Sequence, residues 1–227
     1  MQIKVTFWIV WHTYIYELVK LNMMKKILLV AAIAIAVFFL GRGAYYMIRN
    51  LTYTPQQGDV IFHVSESSQS AAIKLGTWSR YSHCGLIIKK NEKLYVLEAE
   101  NGVELTPIRQ WLKRGKMCHH YRVMRLKDEQ TLNLPYKLGG RYDRAFRFNN
   151  GKYYCSELVW ELYGKNNINL CSPKELQDYH FLYLPMVQKH IKSRGFTMDQ
   201  KVVAPIDLVK SHKLKTVSYG YGKPLWL

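Results

Sequence analysis

The chain is short of acid. Its 227 residues carry 16 Asp and Glu against 33 Lys and Arg, a formal net charge of +17. So basic a chain favours anionic neighbours, and membrane phospholipid, cell-wall polymer and nucleic acid all qualify. Cysteine is scarce as well. The four, at positions 84, 118, 155 and 171, are too few and too scattered for a disulfide scaffold. No CxxC or HExxH spacing occurs, so a closed zinc site has no sequence support. Internal repeats are missing, as are helix-turn-helix and RNP blocks, which argues against a nucleic-acid-binding module. With 48% apolar and 14% aromatic residues, the composition also excludes a disordered tail or a collagen-like fibre.

What is present begins with an apolar run. Ile27–Leu40 is fourteen residues without a charge, preceded by Lys25 and Lys26 and followed by Gly41-Arg42-Gly43. A positive segment before a short apolar one is the layout of an export signal, with Met24 an alternative start. No A-x-A cleavage site follows. Extended to Ile48, the run reaches 22 residues, enough to span a bilayer. Lys4, Lys20, Lys25 and Lys26 before it, against Arg42 and Arg49 after it, favour an inside amino end. The expectation is a signal-anchor within residues 1–49, with a cleaved signal as the alternative. Residues 50–227 then form a domain on the exported side of a bacterial envelope. Without the first 49 residues the chain still has 27 basic residues against 15 acidic, or +12, so its charge is more than a targeting device.

Along this domain, Asp59–Val64 reads as a strand and Gln69–Trp78 as a helix with apolar residues at helical spacing. His83–Ile88 and Lys93–Ala99, split by the polar Lys89–Glu92, have the signature of a hairpin. Val103–Thr106 and His119–Leu126 are further strands, Pro107–Arg114 a helical turn, and Gly139–Gly151 a loop. Cys155–Lys165 is helical, and the tail ends in a strand. Strands gathered first and a helix later predict an α+β fold with an antiparallel sheet.

A nucleophilic cysteine needs its thiolate stabilised, a base to carry the proton and a third group to orient the base. Cys155 stands where a helix begins, with the helix dipole and free N–H groups at hand. His83 is the best-placed partner. If the hairpin turn centres between Lys90 and Asn91, residue 83 faces Glu98; if it centres one residue later, 83 faces Glu100. Either carboxylate would favour the imidazolium, which in turn favours a nearby thiolate. In that arrangement His83 supplies most of the acidification of Cys155, and the charge of Glu157 slightly opposes it. Cys84 alternates to the opposite sheet face and cannot share the His83 hydrogen bond. Cys118-His119-His120 looks like a metal pair but has no further ligand at a usual spacing, so neither metal nor cofactor is expected. Asn50-Leu51-Thr52 matches a glycosylation acceptor, relevant in a eukaryotic secretory setting alone.

Six blocks carry a resemblance: GDVIF (58–62), QSAAIKLGTWSRYSHCGLI (69–87), LEAENGVELTPIRQWL (97–112), RYDRAF (141–146), YYCSELV (153–159) and VVAPIDLVKSHKLKTV (202–217). Together they resemble the YiiX/YebB-like family, circularly permuted papain-fold amidases related to the NlpC/P60 superfamily and classed among the cysteine peptidases. The resemblance implies Cys155 as nucleophile, His83 as base and Glu98 as orienter, in the order His, Glu, Cys that a permuted papain fold produces. It selects 98 over 100, and with it the earlier turn. It implies acyl transfer through a thioester, on an N-acyl lipid or a cell-wall peptide, with esters and thioesters as further substrates. The alternative is an inactive relative that binds acyl lipids or wall peptides at the membrane.

Overall fold

The computed structural model describes the backbone of residues 2–65, 67–222, 224 and 226. It describes side chains from residue 20 onward, apart from 66, 68, 117, 118, 223, 225 and 227. The chain divides into two compact units, Met1–Ile48 and Arg49–Leu227. The first is helical and belongs to α1 (Gln2–Thr52). Within α1, the 33 residues Lys20–Thr52 include a window of mean hydropathy 2.4 in which no residue is buried, long and apolar enough to cross a membrane.

The second unit contains β1 (Val60–His63), α2 (Ser68–Gly76), β2 (His83–Lys90), β3 (Lys93–Ala99), β4 (Val103–Pro107), α3 (Ile108–Lys113), α4 (Lys116–His119), β5 (Tyr121–Leu126) and α5 (Cys155–Gly164). After α5 come β6 (Lys174–Glu175), α6 (Pro185–Arg194), β7 (Lys201–Val202), α7 (Pro205–Val209) and β8 (Leu214–Gly220). Six strands form an antiparallel sheet in the order β4-β3-β2-β1-β5-β8, and β6 pairs with β7 separately. This is the α+β architecture that the strand pattern predicts. The residues of α6, α7 and the small sheet lie in a stretch whose apolar positions show no clear period.

Period-two alternation gives the sheet two buried faces. Val60, Phe62, Cys84, Leu86 and Leu97 pack with Leu158, Val159 and Leu162 of α5. The alternate residues Ile61, Ile87 and Val96 pack with Ile108, Trp111 and Leu112 of α3. Buried Asp59 fastens the sheet's start: it accepts both Nε and a terminal nitrogen of Arg125, at 2.7 and 2.8 Å, and the hydroxyl of Tyr53 at 2.6 Å. Gly85 has a steric reason to be glycine. A Cβ there would stand 2.5 Å from Val96 Cγ1 and 2.7 Å from the carbonyl of Leu97.

The hairpin register corrects the earlier-turn expectation. Lys90 pairs with Lys93 and Leu86 with Leu97, so the turn centres between Asn91 and Glu92. Both of those residues have positive φ, 49° and 59°, the geometry of the two-residue turn whose twist matches that of the flanking strands.

Candidate active site

Cys155 is the first residue of α5, and Tyr154 precedes it in an extended conformation. The helix start is held from both sides. Ser156 donates to the carbonyl of Val203 at 2.7 Å, while the N–H of Val203 donates to the Tyr154 hydroxyl at 3.1 Å. Glu157 turns back to accept the N–H of Tyr154 at 3.4 Å. The sulfur is thereby placed against His83 and Cys84, the first two residues of β2.

His83 donates from Nε2 to Glu98 Oε2 at 2.5 Å. The two are diagonal neighbours, because the later turn puts His83 level with Glu100 in the extended ladder. Regular β2–β3 pairing stops at Leu86 and Leu97, and strand twist together with the length of a glutamate closes the diagonal. Glu98 has no exposed surface and is saturated with donors. It accepts Thr106 Oγ1 at 2.5 Å, Trp111 Nε1 at 2.8 Å and the guanidinium of Arg114, besides His83. Glu100 pairs with Arg114 as well. The two carboxylates that are equivalent by parity are thus distinct: both meet Arg114, but Glu98 alone of the two holds His83.

The electrostatics follow from these contacts. Burial would raise the Glu98 carboxyl, but its bond to His83, the imidazolium charge, Thr106 and Arg114 bring it down to about 2. Burial would lower His83, yet the Cys155 sulfur and Glu98 together push it up to about 10. The Cys155 thiol lies well below its ordinary value. A hydrogen bond from Cys84 is the largest cause and outweighs burial; the charge and hydrogen bond of His83 come next. These shifts favour a thiolate beside an imidazolium. Neighbouring His63, stacked on Trp111 at 3.7 Å, is pushed well below its usual range by burial, then by His83 and Arg114, so it stays neutral.

Two expectations change here. Cys84 does sit on the opposite sheet face from His83, but it too meets Cys155, and it rather than His83 is the largest cause of the thiol's acidity. Glu157 is pushed up to about 8, first by burial, so it carries little charge at neutral pH to oppose a thiolate. Tyr142, which no motif marks in the sequence, also borders the site. Gln69 Nε2 donates to its hydroxyl oxygen at 2.8 Å, and Cys155 is among the groups that raise its pKa. The signal available was the pair of polar residues in the QSAAIK and RYDRAF blocks, which have no contact in sequence.

Other candidates resolve simply. His120 is a satisfied core histidine, bonded to the Tyr81 hydroxyl at 3.2 Å and the Gly220 carbonyl at 3.0 Å. The Cys118 side chain lies outside the described residues. Burial raises Cys171 to about 12. Asn50 is engaged with β8, donating to the Tyr219 carbonyl at 2.7 Å and accepting from Ser218 at 2.6 Å.

Helices on an antiparallel sheet, with His and Glu on strands ahead of a helix-borne Cys, define a cysteine hydrolase of permuted papain type. The family comparison agrees. The chain belongs to the permuted papain-like amidase family (YaeF/YiiX, C92), whose pattern matches residues 54–218. It is 33% identical over 186 residues to the uncharacterized protein YiiX of Escherichia coli K12, covering 77% of this chain and 91% of that protein. A crystal structure of the metalloprotein YiiX from Escherichia coli O157:H7 superposes with a TM-score of 0.70 at 33% identity, covering 74% of this chain and 99% of that one. Among the described residues here, the carboxylates of Glu98, Glu100 and Glu104 come within 4.8 Å of one another. They do not fit a metal, because the Glu98 oxygens are taken by His83, Thr106, Trp111 and Arg114, and Arg114 pairs with Glu100 as well.

Proposed function

We propose that this chain hydrolyses amide bonds, with esters and thioesters as further substrates, through a Cys155–His83–Glu98 triad and a thioester intermediate. The supporting observation is the continuous chain of contacts from Cys155 to His83 to Glu98, in which each group stabilises the charged form of the next. Cys155 attacks the carbonyl, His83 protonates the leaving amine, and water then releases the acyl group with His83 as base. The oxyanion is met by the Cys155 N–H at the start of α5 and by the Tyr142 hydroxyl, which Gln69 orients.

The substrate is an N-acyl lipid or a cell-wall peptide. Residues 1–49 anchor the chain through the apolar span, and residues 50–227 form the hydrolase domain on the exported side. Incubation with both substrate classes, comparing wild type with Cys155→Ala, tests this. Turnover lost in Cys155→Ala, together with an acyl adduct on the wild-type protein, is the expected result. Turnover that survives Cys155→Ala overturns the triad. Membrane-fraction recovery of the full-length chain tests the anchor, and soluble material beginning near Ala44 would make it a cleaved signal.

A further inference from the structure

The turn that ends α2 and the segment that leads into α6 bring several apolar side chains together at the surface. The two helices meet at Gly76, where an added Cβ would stand 3.6 Å from Val187 and 3.8 Å from Leu182. Trp78 follows two residues later and packs on Phe181, with ring centroids 4.7 Å apart. Phe181 in turn meets Tyr183 at 6.0 Å. Trp78 is 70% exposed, Tyr183 73% and Met186, in the first turn of α6, 54%. Of the six large apolar side chains beyond α1 that are exposed among the described residues, three are these. Single exposed apolar residues are ordinary, whereas a group of them marks a surface that meets something.

Holding the rings there strains the backbone. Trp78 has φ 48° and Phe181 φ 53°, the left-handed region that bulky residues rarely adopt and where a helix more often ends in glycine. Packing inside the domain does not explain the strain at Trp78, whose side chain stays in solvent, so the strain points outward. The surroundings are also free of acid: stretches 67–82 and 179–198 contain neither Asp nor Glu. On α6, Val187 and Ile191 face the core, and the opposite, exposed side carries Met186, Lys189 and Lys192.

Trp and Tyr rings, each apolar with a polar tip, beside lysines and without acids match the head-group layer of an anionic bilayer in both polarity and charge. The chain itself brings such a surface close, since the apolar α1 ends at Thr52 and β1 begins at Val60. That tether does not choose which face of the domain turns to the lipid. We propose that the surface of Trp78, Phe181, Tyr183, Met186, Lys189 and Lys192 docks the hydrolase domain on an anionic phospholipid bilayer. The rings enter the head-group layer, and the lysines meet lipid phosphate. This rests on the anchor reading above and is independent of the triad.

The test places the full-length chain, one copy per disc, in lipid nanodiscs of phosphatidylcholine alone or of phosphatidylcholine and phosphatidylglycerol in equal parts. Emission from Trp78 is the difference between wild type and Trp78→Phe, quenched from the bilayer by brominated lipid or from water by acrylamide. In the mixed bilayer Trp78 should be quenched by brominated lipid and shielded from acrylamide, and both effects should weaken as salt rises. A basic residue at an anionic leaflet favours contact by roughly fivefold, so Lys189→Gln with Lys192→Gln should shift the balance toward acrylamide by about tenfold or more. Tyr183→Trp in the Trp78→Phe chain is a second reporter on the same surface and should behave as Trp78 does. Leu138→Trp, at an exposed position beside Gly139 on the β4 edge, should stay open to acrylamide. Trp78 and Tyr183→Trp both open to acrylamide in the mixed bilayer overturn the docking, as does lipid quenching at Leu138→Trp in their place. Equal quenching in phosphatidylcholine alone, unmoved by salt, overturns the anionic partner. Shielding from both quenchers means that protein covers the patch and overturns the bilayer. A chain that does not stay on the discs defeats the anchor reading as well, whereas a chain that stays with Trp78 in water defeats this proposal alone.

Discussion

The pocket beneath α3 and the amino end of α5 each bury a glutamate, and the two behave oppositely. Glu98 sits at about 2 and Glu157 at about 8, although both are removed from water and both are raised by that removal. The difference lies in the donors. Glu98 receives an imidazolium, a hydroxyl, an indole N–H and a guanidinium, which together stabilise its charge beyond what burial takes away. Glu157 receives one backbone N–H at 3.4 Å and feels Asp143 and Glu161 nearby, so its neutral form wins. Burial alone does not say what a carboxyl does; the number and charge of its donors do.

Removing the charge that the donors hold breaks the contrast most directly. Glu98→Gln should lower kcat/KM by roughly a hundred- to ten-thousandfold, because the imidazolium loses its orienter and its counter-charge. Glu100→Gln should cost less than about tenfold, since Glu100 holds Arg114 rather than His83. Steady-state kinetics on the two variants decide it, and equal losses would transfer the role to the second carboxylate. Glu98→Ala should also destabilise the fold by about 3–5 kcal/mol in denaturant titration, as it leaves the buried imidazolium of His83 without its carboxylate.

The second test reads the charged state through pH. With His83 raised to about 10, the imidazolium persists through neutrality, and kcat/KM should be flat there with an alkaline limb near 10. The sign for stability is the same. A raised histidine contributes stability that is full below its unfolded value of about 6.5 and lost as pH rises through about 10. An alkaline limb near neutrality would mean that Cys155 and Glu98 do not hold the proton on His83.

These tests touch the part of the site that was legible in the sequence. Period-two alternation put His83 and either Glu98 or Glu100 on one face of a hairpin, and the helix start marked Cys155. The turn centre was not legible. Asn91 and Glu92 both adopt positive φ, a choice that the polar Lys89–Glu92 run does not reveal. Family resemblance pointed to the carboxylate that meets His83, but by way of the wrong register, because the contact is diagonal rather than directly across. Cys84 against Cys155 and Gln69 against Tyr142 depend on tertiary approach between elements far apart in the chain, for which local periodicity carries no signal. The α6 and α7 helices escaped for a related reason: they are short, and packing rather than an apolar stripe holds them.

Glu157 supplies a smaller effect. Its raised value means that the folded state favours the proton. The stability this contributes is full below the unfolded value of about 4.3 and lost as pH rises through about 8. Glu157→Gln keeps the shape and an acceptor for Tyr154 but removes the titration. Thermal unfolding should show the variant gaining on wild type by a few kcal/mol at pH values above about 8, and by almost nothing near pH 4. A uniform difference across pH would show that Glu157 is not buried in its neutral form.

The smallest expected effect carries the same donor accounting over to sulfur. Cys84 and Cys155 are both buried thiols in contact, yet they move apart. Burial raises Cys84 and its bond to Cys155 raises it further, so Cys84 keeps its proton. Cys155 gives up its own proton, with the Cys84 hydrogen bond the largest cause and the charge of His83 adding to it. The neutral thiol thus acts as a donor to the thiolate, as Thr106 and Trp111 do toward Glu98. Cys84→Val removes that donor while preserving an apolar side chain of similar size against α5, so the fold should hold. The Cys155 thiol should then titrate higher, and alkylation on the acid side of its titration should slow. His83→Ala in the same background should add a further rise, since its charge acts separately. The pH dependence of iodoacetamide labelling at Cys155 measures both, and a titration unmoved by Cys84→Val would leave His83 as the chief source of the acidity.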